Sequence, residues 1–260
     1  MLNTKTLLSH LGKDFPKHLA KKYHDYVGLM VGPLPKTISK VVITLDLEYQ
    51  HQPMLAQLKP DLVITHHPFL YGSKATLLKK DLRKKAFVEW LQAHHIAVYS
   101  IHTNFDEGKG GMNDALAEKL HLLNITPLTN DPMARGGQLP HPMPIDAFAS
   151  YARTALGVPY GYLIASGKPM VSRVALVGGG GSRSYTIAQA EGYDVFISGD
   201  APHHVRRSVV NDGFNYLELP HEIEEIFLPV MSTYLFKLDP TLLIETPFHQ
   251  VLPTLLYENQ

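Results

Sequence analysis

The sequence predicts an α/β protein built from two similar lobes related by internal duplication. Three observations point there. Short β-branched runs alternate with helical patterns, the order of those segments occurs twice, and imidazole and carboxylate side chains collect just beyond the strands. Apolar strands alternating with helices indicate a sheet covered on its faces, because an exposed apolar strand face would have to find another partner.

The elements follow in order. Residues 38–45 (ISKVVITL), bounded by Pro35 and Asp46, read as a first strand; 61–65 (DLVIT), after Lys59-Pro60, as a second; 96–101 (IAVYSI) as a third. Between the last two, residues 81–94 place Leu82, Ala86, Phe87, Trp90 and Leu91 at helical spacing. The basic run Lys79, Lys80, Arg83, Lys84 and Lys85 reads as the solvated side of that helix. Residues 114–120 open another helix with Asn113 as its expected N-cap.

The second half repeats the order: strand 171–177 (VSRVALV), a glycine turn from Gly178 to Ser182, helix 185–191, then strands 194–198 (DVFIS) and 214–219 (FNYLEL). Ile38-Ser39-Lys40-Val41 falls on Val171-Ser172-Arg173-Val174 at an offset of 133 residues, and Asp61-Leu62-Val63-Ile64-Thr65 falls on Asp194-Val195-Phe196-Ile197-Ser198 at the same offset. Two matches in one register, each leading Asp included, favour duplication over chance similarity of buried strands. The halves are expected at about 1–125 and 145–260, joined through 124–144, where Pro127, Pro132, Gly136, Gly137, Pro140, Pro142 and Pro144 read as linker composition.

Composition narrows the chemistry. The 260 residues hold 24 Lys+Arg, 24 Asp+Glu, fifteen His and no Cys. Zero net charge argues against binding nucleic acid through bulk electrostatics, which needs excess cations to neutralise phosphates. Without cysteine there is no disulfide framework, thiolate zinc site, iron–sulfur cluster or thiol nucleophile. The expected location is cytoplasmic: residues 1–14 lack the apolar core of a signal peptide, and no run approaches the roughly 20 apolar residues of a membrane-spanning helix.

Ligands of α/β sheets gather outside the carboxyl ends of strands. There the chain places His66-His67-Pro68, then His102-Thr103-Asn104-Phe105-Asp106, then Pro220-His221 followed by Glu222 to Glu225. Adjacent strand residues point to opposite sides, so two ligands at His66-His67 require a turn or two ions. His221 and Glu225, four apart on an expected helix, share a face as a chelating pair. The thermolysin-type HExxH motif is rejected, because Glu225 stands where its second His belongs. His66, His67, Asp106, His221 and Glu225 form a set of three imidazoles and two carboxylates that suits zinc, iron(II) or manganese. Five such ligands can be shared by two ions if one carboxylate bridges, and paired ions would make hydroxide at neutral pH.

The glycine run resembles an anion-binding turn, but it lacks GK[ST] and fits no register of GxGxxG. A phosphate loop and a dinucleotide fingerprint are both rejected, and a tight structural turn is the better reading. No Ser-His-Asp system is legible. Arg206-Arg207 beside His203-His204 makes a cationic patch too small for DNA readout.

The order DxVGLxVG (Asp25, Val27, Gly28, Leu29, Val31, Gly32), DLVITHHP, HTNFD, GGMND, GGGGS, SGD and HEIEE resembles the NIF-three-like dinuclear metal-centre family, whose bacterial members are often labelled GTP cyclohydrolase 1 type 2 homologues. The resemblance runs from about Tyr23 almost to the C-terminus, in the short form without an inserted domain. It implies two intertwined halves with a metal cleft between them. It also implies two metal ions on His66, His67, Asp106, His221 and Glu225, with Glu225 bridging, and His102 and His204 lining the cleft against substrate. A toroidal homohexamer is implied as well. The family usually has Asn and Gln at the positions of Tyr26 and Met30, glycine at Pro220, and Ser or Thr at Glu224. Proline suits a helix start, so Pro220 leaves ligation intact. Glu224 adds charge near the metals, and Tyr26 and Met30 alter the cleft that meets substrate. The expected function is a two-metal hydrolase, GTP cyclohydrolase-like, acting on a small anionic or nucleotide-like molecule through a metal-bound hydroxide, with His102 or His204 moving protons. The rival expectation is a metal-binding assembly or regulatory scaffold without turnover.

Overall fold

The computed structural model describes residues 1–249. The chain divides into two units: the first is Met1–Gly111, to which the chain returns at Phe227, and the second is Met112–Ile226. The first unit carries strands β1 (Leu2–Asn3), β2 (Gly28–Val31), β3 (Thr37–Ile38), β4 (Lys40–Thr44), β5 (Leu62–Thr65) and β6 (Ala97–Ser100). The second carries β7 (Leu123–Leu128), β8 (Asp131–Pro144), β9 (Tyr162–Ala165), β10 (Met170–Leu176), β11 (Val195–Ser198) and β12 (Asn215–Glu218). A last strand, β13 (Leu243–Glu245), belongs to the first unit.

In the first unit a five-stranded sheet has the order β13-β4-β5-β6-β2, and in the second a six-stranded sheet has the order β7-β8-β10-β11-β12-β9. Each contains three successive parallel strands, β4-β5-β6 and β10-β11-β12. In each, a strand from earlier in the chain closes the edge antiparallel to the third: β2 on β6, β9 on β12. The α/β expectation holds. Every residue of β5, β6, β11 and β12 is buried, the pattern of central strands covered on both faces. Burying a side chain such as Leu62 or Ile64, both fully enclosed, contributes roughly 1.5–3 kcal/mol.

The register read from the sequence has a physical counterpart. Asp61 Oδ2 accepts the backbone N–H groups of Ser39 and Lys40 at 2.7 and 2.9 Å. Asp194 Oδ2 accepts those of Ser172 and Arg173 at 3.0 and 2.9 Å. All three positions of this clamp lie 133 residues from their counterparts. Burial works to raise the Asp194 pKa, but hydrogen bonds from Lys168, Arg173 and Ser172 outweigh it and hold the carboxyl below its usual range.

Helices cross between the parallel strands: Gln52–Leu58 and Leu82–Ala93 in the first unit, Tyr185–Ala190 and His203–Asn211 in the second. Leu82–Ala93 begins where Asp81 caps it, its side chain accepting from Lys84 N at 2.8 Å. Phe87, Val88 and Leu91 form its buried side, while Leu82 stays exposed. The basic run is split at that cap: Lys79 and Lys80 end a separate helix, Lys74–Lys80. Lys79, Lys80, Arg83 and Lys85 are exposed, as a solvated face should be.

Two local expectations are corrected. The proline- and glycine-rich stretch 124–144 is no linker: β7 and β8 pair there as an antiparallel hairpin, and β8 pairs on with β10. Its glycines admit close neighbours, since a Cβ on Gly136 would collide with the Tyr193 ring and one on Gly137 with Leu122. Nor does Asn113 cap a helix. It lies inside the helix Met112–Lys119, accepting from Gly178 N at 2.7 Å and donating to the Met133 carbonyl at 3.0 Å. Among the described residues no helix is long and apolar enough to cross a membrane.

Candidate metal centre

The carboxyl ends of β5 and β6 carry the first group of polar side chains. The backbone of His66 and His67 continues the pairing of β5, donating to the carbonyls of Thr44 and Leu45 at 3.1 and 3.0 Å. The chain then bends, with the Thr65 hydroxyl donating to the His67 carbonyl at 2.8 Å. The turn that two ligands demand is therefore present, and the two rings lie 5.1 Å apart.

Each imidazole is oriented through its Nδ1. His66 is fully buried, with Nδ1 3.1 Å from the Ile101 carbonyl. A carbonyl only accepts, so Nδ1 carries a proton. His67 Nδ1 lies 2.9 Å from Asp46 Oδ1, and His102 Nδ1 lies 2.7 Å from Asp25 Oδ2. Carboxylates hold these rings in the same tautomer. Binding Nδ1 to a carbonyl or carboxylate is how proteins aim Nε2 at a metal and raise its basicity. One ring nitrogen from each of His66, His67 and His102 lies within 4.8 Å of the other two. The donor set thus fits a divalent ion of borderline softness.

Asp106 joins this group from the short helix Thr103–Glu107. Asn104 starts that turn, accepting from His102 N at 3.1 Å and donating to the Phe15 carbonyl at 2.7 Å. The turn leaves Asp106 buried, with Oδ1 3.4 Å from His66 Nε2. Phe227 packs against the His66 ring at 5.1 Å and Phe105 packs against Phe227 at 5.2 Å, an apolar wall that keeps the ring from rotating. Asp25 also accepts from the Thr103 hydroxyl at 2.7 Å and from Tyr26 N at 2.8 Å. Although burial works to raise its pKa, those bonds and His102 depress it well below the usual carboxylate range. For His102, burial opposes the charged form, but the bond to Asp25 and the charges of Asp106 and Asp25 prevail, raising its pKa.

The second unit holds His221, Glu225 and His204. His221 opens a 3₁₀ turn, His221–Ile226, where three residues complete a turn and side chains at i and i+3 line up. His221 Nε2 accordingly meets the buried Glu224, three residues on, at 2.9 Å, and Glu225 follows it in a half-buried position. The opposite ring nitrogen, Nδ1, pairs with Asp200. The hydrogen bond to Glu224 is the chief reason the His221 pKa rises to about 9; burial opposes it and Asp200 adds to it. Gly179 allows this approach. It has φ +62°, and a Cβ there would collide with Glu224 Oε1. The glycine run is thus a tight turn fitted beneath His221 and Glu224. His204 is exposed on the helix His203–Asn211.

The structure accordingly brings His66, His67, His102 and Asp106 together in the first unit, and adds Asp25 and Asp46, which motif reading had not singled out as site residues. Asp46 stood at a strand end, the position that selected the histidines. Asp25 precedes β2 and reaches His102 only through the fold.

The sequence model of Duf34/NIF3 (NGG1p interacting factor 3) matches residues 2–251. The chain belongs to the Duf34/NIF3 family. Among relatives in this family, a "GTP cyclohydrolase 1 type 2 homolog" of Clostridium perfringens is 28% identical over 207 residues, 77% of this chain and 79% of the relative. One of the same name from Streptomyces coelicolor is 32% identical over 208 residues, 76% and 72% of the two chains. The fold of a Bacillus cereus protein related to NIF3 superposes with a TM-score of 0.84 at 21% identity, covering 98% of this chain and 99% of that one.

Proposed function

We propose that this Duf34/NIF3 chain is a dinuclear-metal hydrolase acting on a small anionic or nucleotide-like substrate in the cytoplasm. The observation that supports the reading is that His66, His67 and His102 cluster with Nδ1 of each bound to a carbonyl or carboxylate, which turns Nε2 of His66 and His67 to metal and Nε2 of His102 to the substrate. The proposed ligands are His66, His67, Asp106, His221 and Glu225, with zinc, iron or manganese as the ions. Divalent ions on such ligands supply a Lewis acid and an activated water at neutral pH.

The protein's own groups have the following parts. Asp46 and the Ile101 carbonyl fix the ring planes of His67 and His66. Asp25, held ionised by its hydrogen bonds, keeps His102 oriented so that His102 Nε2 exchanges a proton with the substrate. His204 is the second candidate for proton transfer. The name shared by the relatives favours a nucleotide and ring opening of the GTP cyclohydrolase kind. A homohexamer is part of the proposal, and light scattering would show six times the mass of one chain.

The test is turnover of GTP and related phosphates by wild type, His67→Ala and His102→Ala, with bound metal counted in each. Metal-dependent turnover by wild type is expected, lost with the metal in His67→Ala and lost with the metal retained in His102→Ala. Bound metal with no turnover of any substrate would instead favour the non-catalytic scaffold.

A further inference from the structure

Two tyrosines that the metal chemistry does not use stand close along the chain to residues of the proposed site. Tyr26 follows Asp25, the carboxylate that holds His102, and its backbone N–H donates to Asp25 at 2.8 Å. Tyr71 lies four residues beyond His67, a reach of at most about 14 Å of extended chain. The two rings meet edge to face, with centroids 5.2 Å apart and planes at 67°. They are nevertheless 43% and 64% exposed. Lys74, in the helix that begins three residues after Tyr71, reaches back to the carbonyl of Met30 at 3.4 Å. That bond ties together the two segments that carry the tyrosines.

An edge-to-face pair occupies one face of one ring and the edge of the other, leaving ring faces for a further planar group. Exposed aromatic rings beside a polar centre are the arrangement that binds a flat ring by stacking while the centre holds a polar group. We infer that Tyr26 and Tyr71 form the stacking platform for a planar heteroaromatic ring of the substrate. This rests on the metal-site reading above and deepens it, naming the residues that would hold the base of a nucleotide-like substrate.

The experiment is a titration of the metal-loaded protein with guanosine 5′-monophosphate and with ribose 5-phosphate, which lacks the base. Wild type should bind the base-bearing probe about 10-fold or more tightly than the other, the size expected of one stacked base. Tyr26→Ala and Tyr71→Ala should each reduce that preference several-fold, leaving affinity for ribose 5-phosphate and metal content unchanged. Tyr26→Phe and Tyr71→Phe should keep it, because stacking needs the ring and not the hydroxyl. Equal affinity for both probes, failure of the loaded protein to bind either, or a preference unaltered in both alanine variants would overturn the assignment. Metal counted separately keeps the two readings apart: protein that takes up no metal contradicts the proposed centre, whereas loaded protein without a base preference contradicts the platform alone.

Discussion

At the ends of their middle parallel strands the two units carry different chemistry on the same backbone frame. In the first unit β5 runs into His66-His67; in the second β11 runs into Gly199-Asp200, at the same 133-residue offset. Both strands are led by an Asp that clamps two backbone amides of the neighbouring strand. Beyond the strand the frames diverge. Thr65 bends the chain so that two imidazole rings lie 5.1 Å apart, whereas Asp200 adopts a left-handed φ of 50° and pairs with His221. The sheet fixes where a ligand can stand, and the residue placed there decides the chemistry, which is why function has to be argued from the site.

The comparison can be broken where the units differ most. His102→Ala should lower turnover by roughly 10²–10⁴-fold, the usual worth of a positioned acid–base group, with metal content retained. If metal is lost along with activity, His102 is a ligand and its proton role falls. Asp46→Asn removes the carboxylate behind His67 and should weaken metal binding about 10–100-fold, measured by competition with a chelator. An unchanged affinity would mean that the oriented ring adds nothing.

Where the units agree, the effects should match and be smaller. Replacing Asp61 or Asp194 by Ala leaves two amides without their acceptor and should cost about 1–3 kcal/mol in either unit, read from urea denaturation. Asp194 carries a further signature. Its folded pKa lies below the unfolded value of 3.8, so its contribution is present above that pH and is lost as pH falls through the folded pKa. Wild type should therefore lose more stability between pH 6 and pH 3 than Asp194→Asn does; equal losses would remove the carboxylate from the account. The smallest effect belongs to the turn. Gly179→Ala combines a left-handed φ with a clash against Glu224 and should cost roughly 1–2 kcal/mol. A stabilised variant would show that Glu224 moves freely.

Much of this was legible in the sequence, because buried parallel strands are continuous apolar runs and ligands collect at their ends. Strands at 38–45, 61–65, 96–101, 171–177, 194–198 and 214–219 have counterparts in β4, β5, β6, β10, β11 and β12. The short edge strands β2, β9 and β13 escaped notice, since an edge strand buried on part of one face carries little periodicity. The hairpin at 124–144 has the composition of a linker because Pro127 stands on the edge strand β7, and Pro140 and Pro142 fall where the β8–β10 register is irregular, between the pairs Gln138–Arg173 and Met143–Val171; composition alone does not separate the two. Of the site, His66, His67, His102 and Asp106 were visible from their place after strands. The Asp25–His102 bond spans 77 residues, and no local pattern announces it. The His221–Glu224 pairing depended on a helix type, 3₁₀ against α, that a six-residue segment does not reveal.

The central claim is that the imidazoles at the end of β5 hold metal. Cobalt(II) titration of wild type, His66→Ala, His67→Ala and His204→Ala, followed by visible absorption and by bound metal after dialysis, tests it most directly. Wild type and His204→Ala, altered only at an exposed helical position, should bind cobalt tightly with the same spectrum. His66→Ala and His67→Ala should each lose that spectrum and bind at least 100-fold more weakly. Undiminished cobalt binding by the two strand-end variants, with an unchanged spectrum, would contradict the claim.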